Sequence, residues 1–269
     1  MRVLLAQLTP VPGDLDANAA AVAAAIAANP DAELAVFPEL FLTGYDPSRA
    51  AELAIGAEES PLAAVRAVAR RHGTALLLGF MERTEEGRVA NAVACVERDG
   101  SLVATYRKTH LFGSGERAAF AAGGELRVVE LAGRRIAPLI CFDVEFPEPA
   151  RALARAGAEL LVTLAANMEP YGPDHALAAR ARALDNRLPH VYVNRVGAES
   201  GLDFVGLSAA IGPDGRPLAE LGAGESVQLV EVPVGASAGD DVDYLAHLRD
   251  DLPVVKVSSS TPSVQGGNR

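Results

Sequence analysis

Residues 135–148, RIAPLICFDVEFPE, contain a short apolar run that ends at a cysteine and is followed by acidic residues and a proline. The run from Ile136 to Ile140 predicts a buried strand, and Pro147 is suited to the first turn of a helix. Cys141 then lies at the C-terminal end of a strand, where open α/β sheets place their ligands. Backbone N–H groups of the next turn would be placed to stabilise an oxyanion there. The alternative is that Cys141 is a small core hydrophobe, and this stretch alone does not decide between the two.

The composition is that of an ordinary globular chain, and it excludes several classes of function. The 269 residues are 49% hydrophobic and 22% charged, which is enough to build one large α/β core. A net charge of −11 without a Lys/Arg cluster argues against nucleic acid or an anionic membrane as partner. Two cysteines and five scattered histidines give neither a disulfide scaffold nor a metal-binding spacing. Without a signal-peptide pattern or an apolar run of membrane-spanning length, we expect a cytoplasmic protein that needs no metal.

Strand and helix patterns alternate at both ends of the chain, whereas its middle is rich in strands. Helices are predicted at 17–28, 61–72, 149–156 and 175–187, and 204–211 is predicted as a single strand. This order predicts a layered α/β fold with the helices outside. We interpret residues 1–255 as one domain and the polar residues 256–269 as a C-terminal tail.

Three polar residues each follow a predicted strand closely. They are Glu39, Lys108 and Cys141. If their strands were parallel neighbours, the three side chains would meet at one edge of the sheet. Taken singly, Glu39 could cap a helix, Lys108 could be a solvated charge and Cys141 could be core.

Together these residue types suit acyl transfer from a C–N bond. A cysteine thiol has a reference pKa of about 8.5, so only a small fraction is thiolate at neutral pH. A carboxylate within reach can take the thiol proton. An ammonium group nearby favours the thiolate and then stabilises the oxyanion of a tetrahedral intermediate.

Three blocks of the sequence resemble the signature blocks of the nitrilase (carbon–nitrogen hydrolase) superfamily, in the order of that family. They are FPELFLTGY at 37–45, YRKTHLF at 106–112 and ICFDVEFPE at 140–148. The likeness extends over nearly the whole chain, from Gln7 through Asn91 and the helix block at 182–186 to 204–208.

The resemblance implies a four-layer α-β-β-α sandwich and a Glu–Lys–Cys site without a cofactor. Glu39 would be the general base, Lys108 the oxyanion stabiliser and Cys141 the nucleophile that forms a thioester. The backbone N–H of Phe142 would be a second oxyanion donor. Members often have a glutamate eight residues after the lysine, and Glu116 stands there; its alternative role is a loop charge.

Two departures from the family pattern concern the helix block and the pocket wall. Asp185-Asn186 stands where Glu-Asn is usual, a change in a structural contact. Many members have a tryptophan near Asn167, and this chain has none. We keep Asn167 as a candidate substrate-binding residue, together with Tyr45 at the end of the first block.

Phe142-Asp143 after the cysteine resembles the amidase and carbamoylase branches rather than nitrilases. The third block is most similar to the R-stereoselective-amidase-like group of aliphatic amidases. Glu145 stands where omega-amidase-like members have an arginine suited to a substrate carboxylate. Our hypothesis is that Glu145 leaves a pocket that rejects carboxylates and accepts neutral or amine-bearing amides; the alternative is a structural contact, for example with an arginine.

The predicted function is hydrolysis of a small carboxamide to carboxylic acid and ammonia. An N-carbamoyl amine or amino-acid amidohydrolase is the alternative of the same class, followed by a nitrilase. Acyl transfer to an amine is another alternative, and a non-catalytic binding protein is disfavoured because Glu39, Lys108 and Cys141 are all present. The resemblance also implies a homodimer or larger assembly, with residues 241–253 as a segment that could cross to the partner.

Overall fold

The structure is a computed structural model that describes residues 1–235, 244–249 and 251–256. In chain order its strands are β1 (Arg2–Gln7), β2 (Leu34–Val36), β3 (Ala75–Arg83), β4 (Val89–Val96), β5 (Leu102–Arg107), β6 (Val129–Leu131), β7 (Arg134–Ile140), β8 (Leu160–Ala165), β9 (His190–Asn194), β10 (Val196–Glu199), β11 (Leu202–Val205), β12 (Ala209–Ile211), β13 (Pro217–Glu220) and β14 (Ser226–Glu231). The α-helices are α1 (Leu15–Ala27), α2 (Ala50–Leu53), α3 (Ser60–His72), α4 (Gly113–Ala119), α5 (Pro147–Arg155) and α6 (Gly172–Asn186).

Two six-stranded sheets and one short hairpin contain these strands. The first sheet has the order β14-β1-β2-β3-β4-β5 and the second the order β13-β12-β9-β8-β7-β6. In the centre of each sheet the strands are parallel, β1 to β2 to β3 in the first and β7 to β8 to β9 in the second. The outer strands pair antiparallel, and β10 pairs with β11 as a separate ribbon.

Alternating side chains show that each sheet is covered on both faces. On β1, Val3 and Leu5 belong to the core between the sheets, whereas Leu4 belongs to the core under α1 and α3. On β7, Ile136 points into the core between the sheets and Leu139 packs under α5. A strand that is apolar on both faces is buried on both, which explains its continuous apolar sequence. The fold is therefore the predicted four-layer α-β-β-α sandwich.

Local signals account for several helix ends. Asp14 caps α1 by accepting a hydrogen bond of 2.9 Å from the backbone of Ala17. Gly73 ends α3 in the left-handed conformation, with φ of 65°. Pro147 occupies the first turn of α5, as its position after the acidic residues predicts.

Three differences from the sequence-based expectation concern short elements. The strand predicted at 204–211 is interrupted after β11, because Gly206 and Leu207 have φ of 68° and 61° and turn the chain. The segment around Glu116, expected as a loop, is the short helix α4. Of the predicted tail, Lys256 lies within the described residues, and 257–269 lies outside them, as do 241–243 and 250 of the predicted crossing segment.

No helix in the described part of the chain combines the length and apolar character that crossing a membrane requires.

Candidate active site

The three predicted catalytic residues come together, but not at one edge of one sheet. Glu39 and Lys108 follow β2 and β5, which are separated by two strands within the first sheet, and Cys141 follows β7 of the second sheet. The expectation of neighbouring parallel strands is therefore wrong. Face-to-face packing of the two sheets is what brings the strand ends to one place.

Glu39 reaches the site because its loop crosses directly over β3. A Cβ atom on Gly79 would lie 2.4 Å from the backbone N of Leu40 and the O of Pro38. The loop is tied down at this point, since Leu42 N donates a hydrogen bond of 3.0 Å to Gly79 O. A side chain at position 79 would displace the loop, so glycine is required there.

Lys108 is a buried cation between two buried carboxylates. Its Nζ donates to Glu39 Oε1 at 2.7 Å and to Glu116 Oε1 at 2.9 Å. None of the three side chains has more than 1% of its surface exposed. We call Glu39, Lys108 and Glu116 the buried charge cluster. Asn91 of β4 adds a hydrogen bond of 2.6 Å to Glu39 Oε1.

Glu116 is held on both of its oxygens. Tyr45 OH donates to Oε1 at 2.8 Å, and the backbone N–H of Phe112 donates to Oε2 at 2.8 Å. Because Oε1 also accepts from Lys108, Glu116 fixes the direction in which the ammonium group points. The residue eight positions after the lysine therefore lies inside the site rather than on a surface loop.

Cys141 begins a 3-10 helix (Cys141–Glu145) and has φ of 44°, a conformation that few non-glycine residues adopt. The turn is held by Asp143, which accepts from Ile140 N, Tyr106 OH and the side chain of Thr109 at 2.8–3.0 Å. These bonds join the turn at the cysteine to the segment around Lys108. The sequence pointed to Asp143 only through the Phe-Asp pair, and its structural partners were not predicted.

Burial raises the pKa of the Cys141 thiol well above its ordinary value; the Glu39 carboxylate adds to this, and Lys108 opposes it. Burial also raises the pKa of Glu39, against the effect of Lys108. Burial alone would lower the pKa of Lys108, but Glu39 and Glu116 outweigh it and the pKa rises. In the resting site the sulfur is therefore a thiol and the lysine is an ammonium.

The backbone N–H of Ala166, at the end of β8, connects the carboxylate and the sulfur. It donates to Glu39 Oε2 at 2.8 Å, and its hydrogen bond to Cys141 opposes the rise in the pKa of the thiol. Glu39 and Cys141 thus share one donor, which places the carboxylate near the sulfur.

A small pocket opens beside Cys141, with an empty volume of about 260 Å³. Its walls contain all four of the predicted substrate-binding candidates and four further side chains: Tyr45, Phe142, Glu145, Asn167, Phe112, Met168, Tyr171 and His175. A larger open groove around Glu82 and Arg107, with an empty volume of about 1560 Å³, contains neither Cys141 nor the buried charge cluster, so size alone does not identify the site.

Glu145 contacts a histidine instead of an arginine side chain. Its Oε1 lies 3.1 Å from His175 Nε2, and His175 Nδ1 lies 2.9 Å from Tyr192 OH. Arg182 of the helix block donates to the backbone carbonyls of Val144 and Glu145 at 3.0 and 2.9 Å. The contact between Glu145 and an arginine is therefore made by the backbone carbonyl of Glu145. Its carboxylate remains in the pocket wall.

His175 and Tyr192 are functional candidates that the sequence did not reveal. His175 was one of five scattered histidines, and Tyr192 lies within a predicted strand. The sequence signal for His175 was weak, because it consisted of one polar residue on the face of α6 that packs inward. Only the packing of α6 against β9 brings the two side chains together.

Comparison with known proteins extends these observations to most of the chain. The sequence profile of the family described as carbon-nitrogen hydrolase matches residues 2–238. The chain is 40% identical over 254 residues to the (R)-stereoselective amidase of Pseudomonas sp, covering 93% of this chain and 92% of that protein. It is 31% identical over 224 residues to the 2-oxoglutaramate amidase of Bacillus subtilis (strain 168), covering 83% of each.

Solved structures of an amidase from Nesterenkonia sp. AN1 share the fold. One superposes with a TM-score of 0.83 at 34% identity, covering 93% of this chain and 94% of that chain. It shows covalent addition of the acetamide moiety of fluoroacetamide at the active site cysteine. Another, with a TM-score of 0.83 at 33% identity and covering 93% of this chain and 94% of that chain, is a complex with butyramide.

Proposed function

The chain belongs to the carbon–nitrogen hydrolase family, and on that premise we propose that it is an amidase that hydrolyses small carboxamides to carboxylic acids and ammonia. The observation that carries the proposal is the placement of Cys141 at a small pocket beside the buried charge cluster. The similarity to the (R)-stereoselective amidase and to the Nesterenkonia amidase supports the same reaction.

In the first half of the reaction Glu39 acts as general base. The thiol is protonated at rest because burial and Glu39 raise its pKa, so the proton must leave as sulfur attacks the amide carbon. Glu39 accepts that proton and passes it to the leaving nitrogen, which departs as ammonia. The product of this half-reaction is a thioester on Cys141.

Lys108 stabilises the oxyanion of the tetrahedral intermediate. Its ammonium group is held by two carboxylates and does not have to reorient when charge develops on the substrate oxygen. The backbone N–H of Phe142 is the second donor. Tyr45 donates to Glu116, and Glu116 in turn accepts from Lys108 and positions its ammonium group.

Water then hydrolyses the thioester, with Glu39 again as the base. Glu39 takes a proton from water as the oxygen attacks the acyl carbon, and it returns that proton to the sulfur as the sulfur leaves. The acid and the free thiol are the products, so the site returns to its initial state without a cofactor.

The lining of the pocket supports a substrate with a short acyl chain. Tyr45, Phe112 and Met168 provide apolar walls for such a chain. Butyramide, present in the Nesterenkonia complex, is an amide with a short acyl chain.

Ammonia release from amides, carbamoyl compounds and nitriles tests the proposal, with Cys141→Ala and Cys95→Ala measured in parallel. Cys95 is the matched control, because it is a buried cysteine in the core between the sheets. We expect Cys141→Ala to abolish ammonia release from amides and Cys95→Ala to retain it. Equal activity of the two variants would remove Cys141 as nucleophile, and release from carbamoyl compounds alone would support the carbamoylase alternative.

We also propose that the chain assembles as a homodimer through the outer face of α6. Two exposed leucines, Leu177 of this helix and Leu207, line an apolar groove with an empty volume of about 950 Å³, and they are 73% and 42% exposed. Contiguous exposed apolar surface of this kind is typical of an interaction site. A cytoplasmic location stays a prediction from the sequence.

A further inference from the structure

The proposed reaction makes no use of the carboxylate of Glu145, although it lies in the wall of the pocket. Glu145 lines the same pocket as Cys141, and 33% of its side-chain surface is exposed. Oε1 contacts His175, and within the described part of the chain no Lys or Arg side chain forms an ion pair with this carboxylate. The pocket therefore has a negative group without a cationic partner among the described residues.

His175 holds this carboxylate without neutralising its charge. Burial lowers the pKa of His175 from 6.5 to about 4, and Lys108 contributes in the same direction, so the imidazole is neutral near pH 7. A neutral imidazole has one N–H donor, and the hydrogen bond at the other nitrogen decides which nitrogen that is.

The carboxylate of Glu145 decides this assignment, because a carboxylate accepts hydrogen bonds and donates none. Its Oε1 lies 3.1 Å from His175 Nε2, so the imidazole proton is on Nε2. His175 Nδ1 then accepts from the hydroxyl of Tyr192 at 2.9 Å; this phenol is buried, and burial raises its pKa well above the ordinary value, so it has a proton to donate. Tyr192, His175 and Glu145 form a directed chain that ends on a carboxylate in the pocket.

We propose that Glu145, positioned by His175 and Tyr192, binds an ammonium group of the substrate, so that the enzyme prefers amides whose acyl chain bears an amine. This inference rests on the proposed amidase function and names its substrate class. The second oxygen of Glu145 accepts no hydrogen bond from the described residues, so it is available to the ligand. An amide with a carboxylate on its acyl chain is disfavoured, because like charges would meet in a partly desolvated site.

The other charged groups near Glu145 also favour a cationic ligand at its carboxylate. Burial, and then the neighbouring Asp174, raise the pKa of Glu145, whereas Lys108 lowers it. Lys108 is already engaged with Glu39 and Glu116, so it is not a direct partner. A substrate ammonium group would supply the missing positive charge.

Two amides of the same size and shape test the inference directly. 3-Aminopropanamide and butanamide differ only in an ammonium group in place of a methyl group, and succinamate provides the carboxylate. We expect the wild-type kcat/KM to be higher for 3-aminopropanamide than for butanamide, and lowest for succinamate. The measured quantity is the ratio of kcat/KM for the first two substrates.

Glu145→Gln keeps the shape of the side chain and removes its charge, and we expect it to lower this ratio at least about tenfold. Glu145→Asp, which keeps the charge, should retain most of the ratio. The matched control is Asp174→Asn, which removes a nearby negative charge that does not line the pocket and should change the ratio less than about twofold. Tyr192→Phe tests the positioning chain, and should raise KM for 3-aminopropanamide more than for butanamide.

The two proposals fail in distinguishable ways. If the wild type hydrolyses no amide, the amidase function is wrong and this inference is wrong with it. If it hydrolyses butanamide and Glu145→Gln leaves the ratio unchanged, the ammonium site alone is wrong. Should Glu145→Gln lose all turnover, the ratio is read on Tyr192→Phe, where a fall supports the inference and an unchanged ratio contradicts it.

Discussion

At the scale of single residues, the site depends on one cation shared by two carboxylates. Burial is the largest cause of the raised pKa of the Cys141 thiol, and the carboxylates of Glu39 and Glu116 add to it. Lys108 and the backbone N–H of Ala166 oppose this rise without cancelling it. The arrangement suits a thiol that loses its proton during attack better than a preformed thiolate–ammonium pair.

His190 of β9 is a buried histidine outside the pocket, and its protonation makes the stability of the fold depend on pH. Its Nδ1 donates to Ala179 O at 3.0 Å, and its Nε2 lies 2.8 Å from Thr163 Oγ1, so both nitrogens are satisfied in the neutral form. Burial lowers the pKa of His190 from 6.5 to about 4. Protonation of this imidazole inside the fold is therefore unfavourable.

We predict that the free energy of unfolding falls as the pH falls from 6.5 towards 4. In this window the unfolded chain binds a proton at His190 and the folded chain does not, so acid favours unfolding by up to about 3 kcal/mol from this group. Urea unfolding of wild type and His190→Gln at pH 7 and pH 5 measures the effect. The variant should be less stable at pH 7 but lose less stability at pH 5; parallel losses would contradict the role of His190.

At the scale of elements, the crossing of one loop over one strand delivers the general base. The loop after β2 passes over β3 at Gly79, and Glu39 arrives beside Asn91 of β4. The loop stays near β3 through the hydrogen bond from Leu42 N to Gly79 O. The position of Glu39 therefore depends on the backbone contact between its loop and β3, in which no catalytic residue takes part.

We predict that Gly79→Ala lowers kcat strongly, by roughly 100-fold or more, because its Cβ would meet the backbone at Leu40 and Pro38 at 2.4 Å and move Glu39 away from the thiol. Steady-state kinetics with butanamide measures this, and thermal unfolding reports the accompanying loss of stability. Gly124→Ala is the control, since no atom lies within 4 Å of a Cβ built there. Wild-type kcat in Gly79→Ala would show that the loop tolerates displacement.

At the scale of the whole molecule, the second sheet presents an apolar surface on the side of α6. The groove beside Leu177 lies between this helix and the strands β12 and β13. The same helix supplies His175 to the pocket and Arg182 to the turn after Cys141. Association through this face would thus rest on an element that also shapes the site.

We predict that Leu177→Asp shifts the protein from dimer to monomer, because a charge would replace an apolar side chain that is 73% exposed in the single chain. Sedimentation velocity of wild type and variant measures the assembly. Val11→Asp, at another apolar residue that is 50% exposed but lies away from α6, should leave the dimer intact. A wild type that sediments as a monomer would overturn the homodimer proposal.

Much of the fold and the list of catalytic candidates could be predicted from local sequence. Apolar runs that end near Glu39 and at Cys141 mark strands because burial on both faces demands continuous apolar residues. Capping residues and prolines marked the starts of α1 and α5 in the same way. These features depend on neighbours a few residues apart, which the chain displays directly.

Contacts between distant segments were decided by packing. Ala166 N–H meets Glu39 across 127 positions of sequence, and Tyr45 meets Glu116 across 71. The expectation of a single sheet edge failed because the order of strands in a sheet and the facing of two sheets are not written in any one segment. His175 became a pocket residue for the same reason: its partners lie on other elements, and only the apposition of the two sheets with α6 brings them within hydrogen-bonding distance.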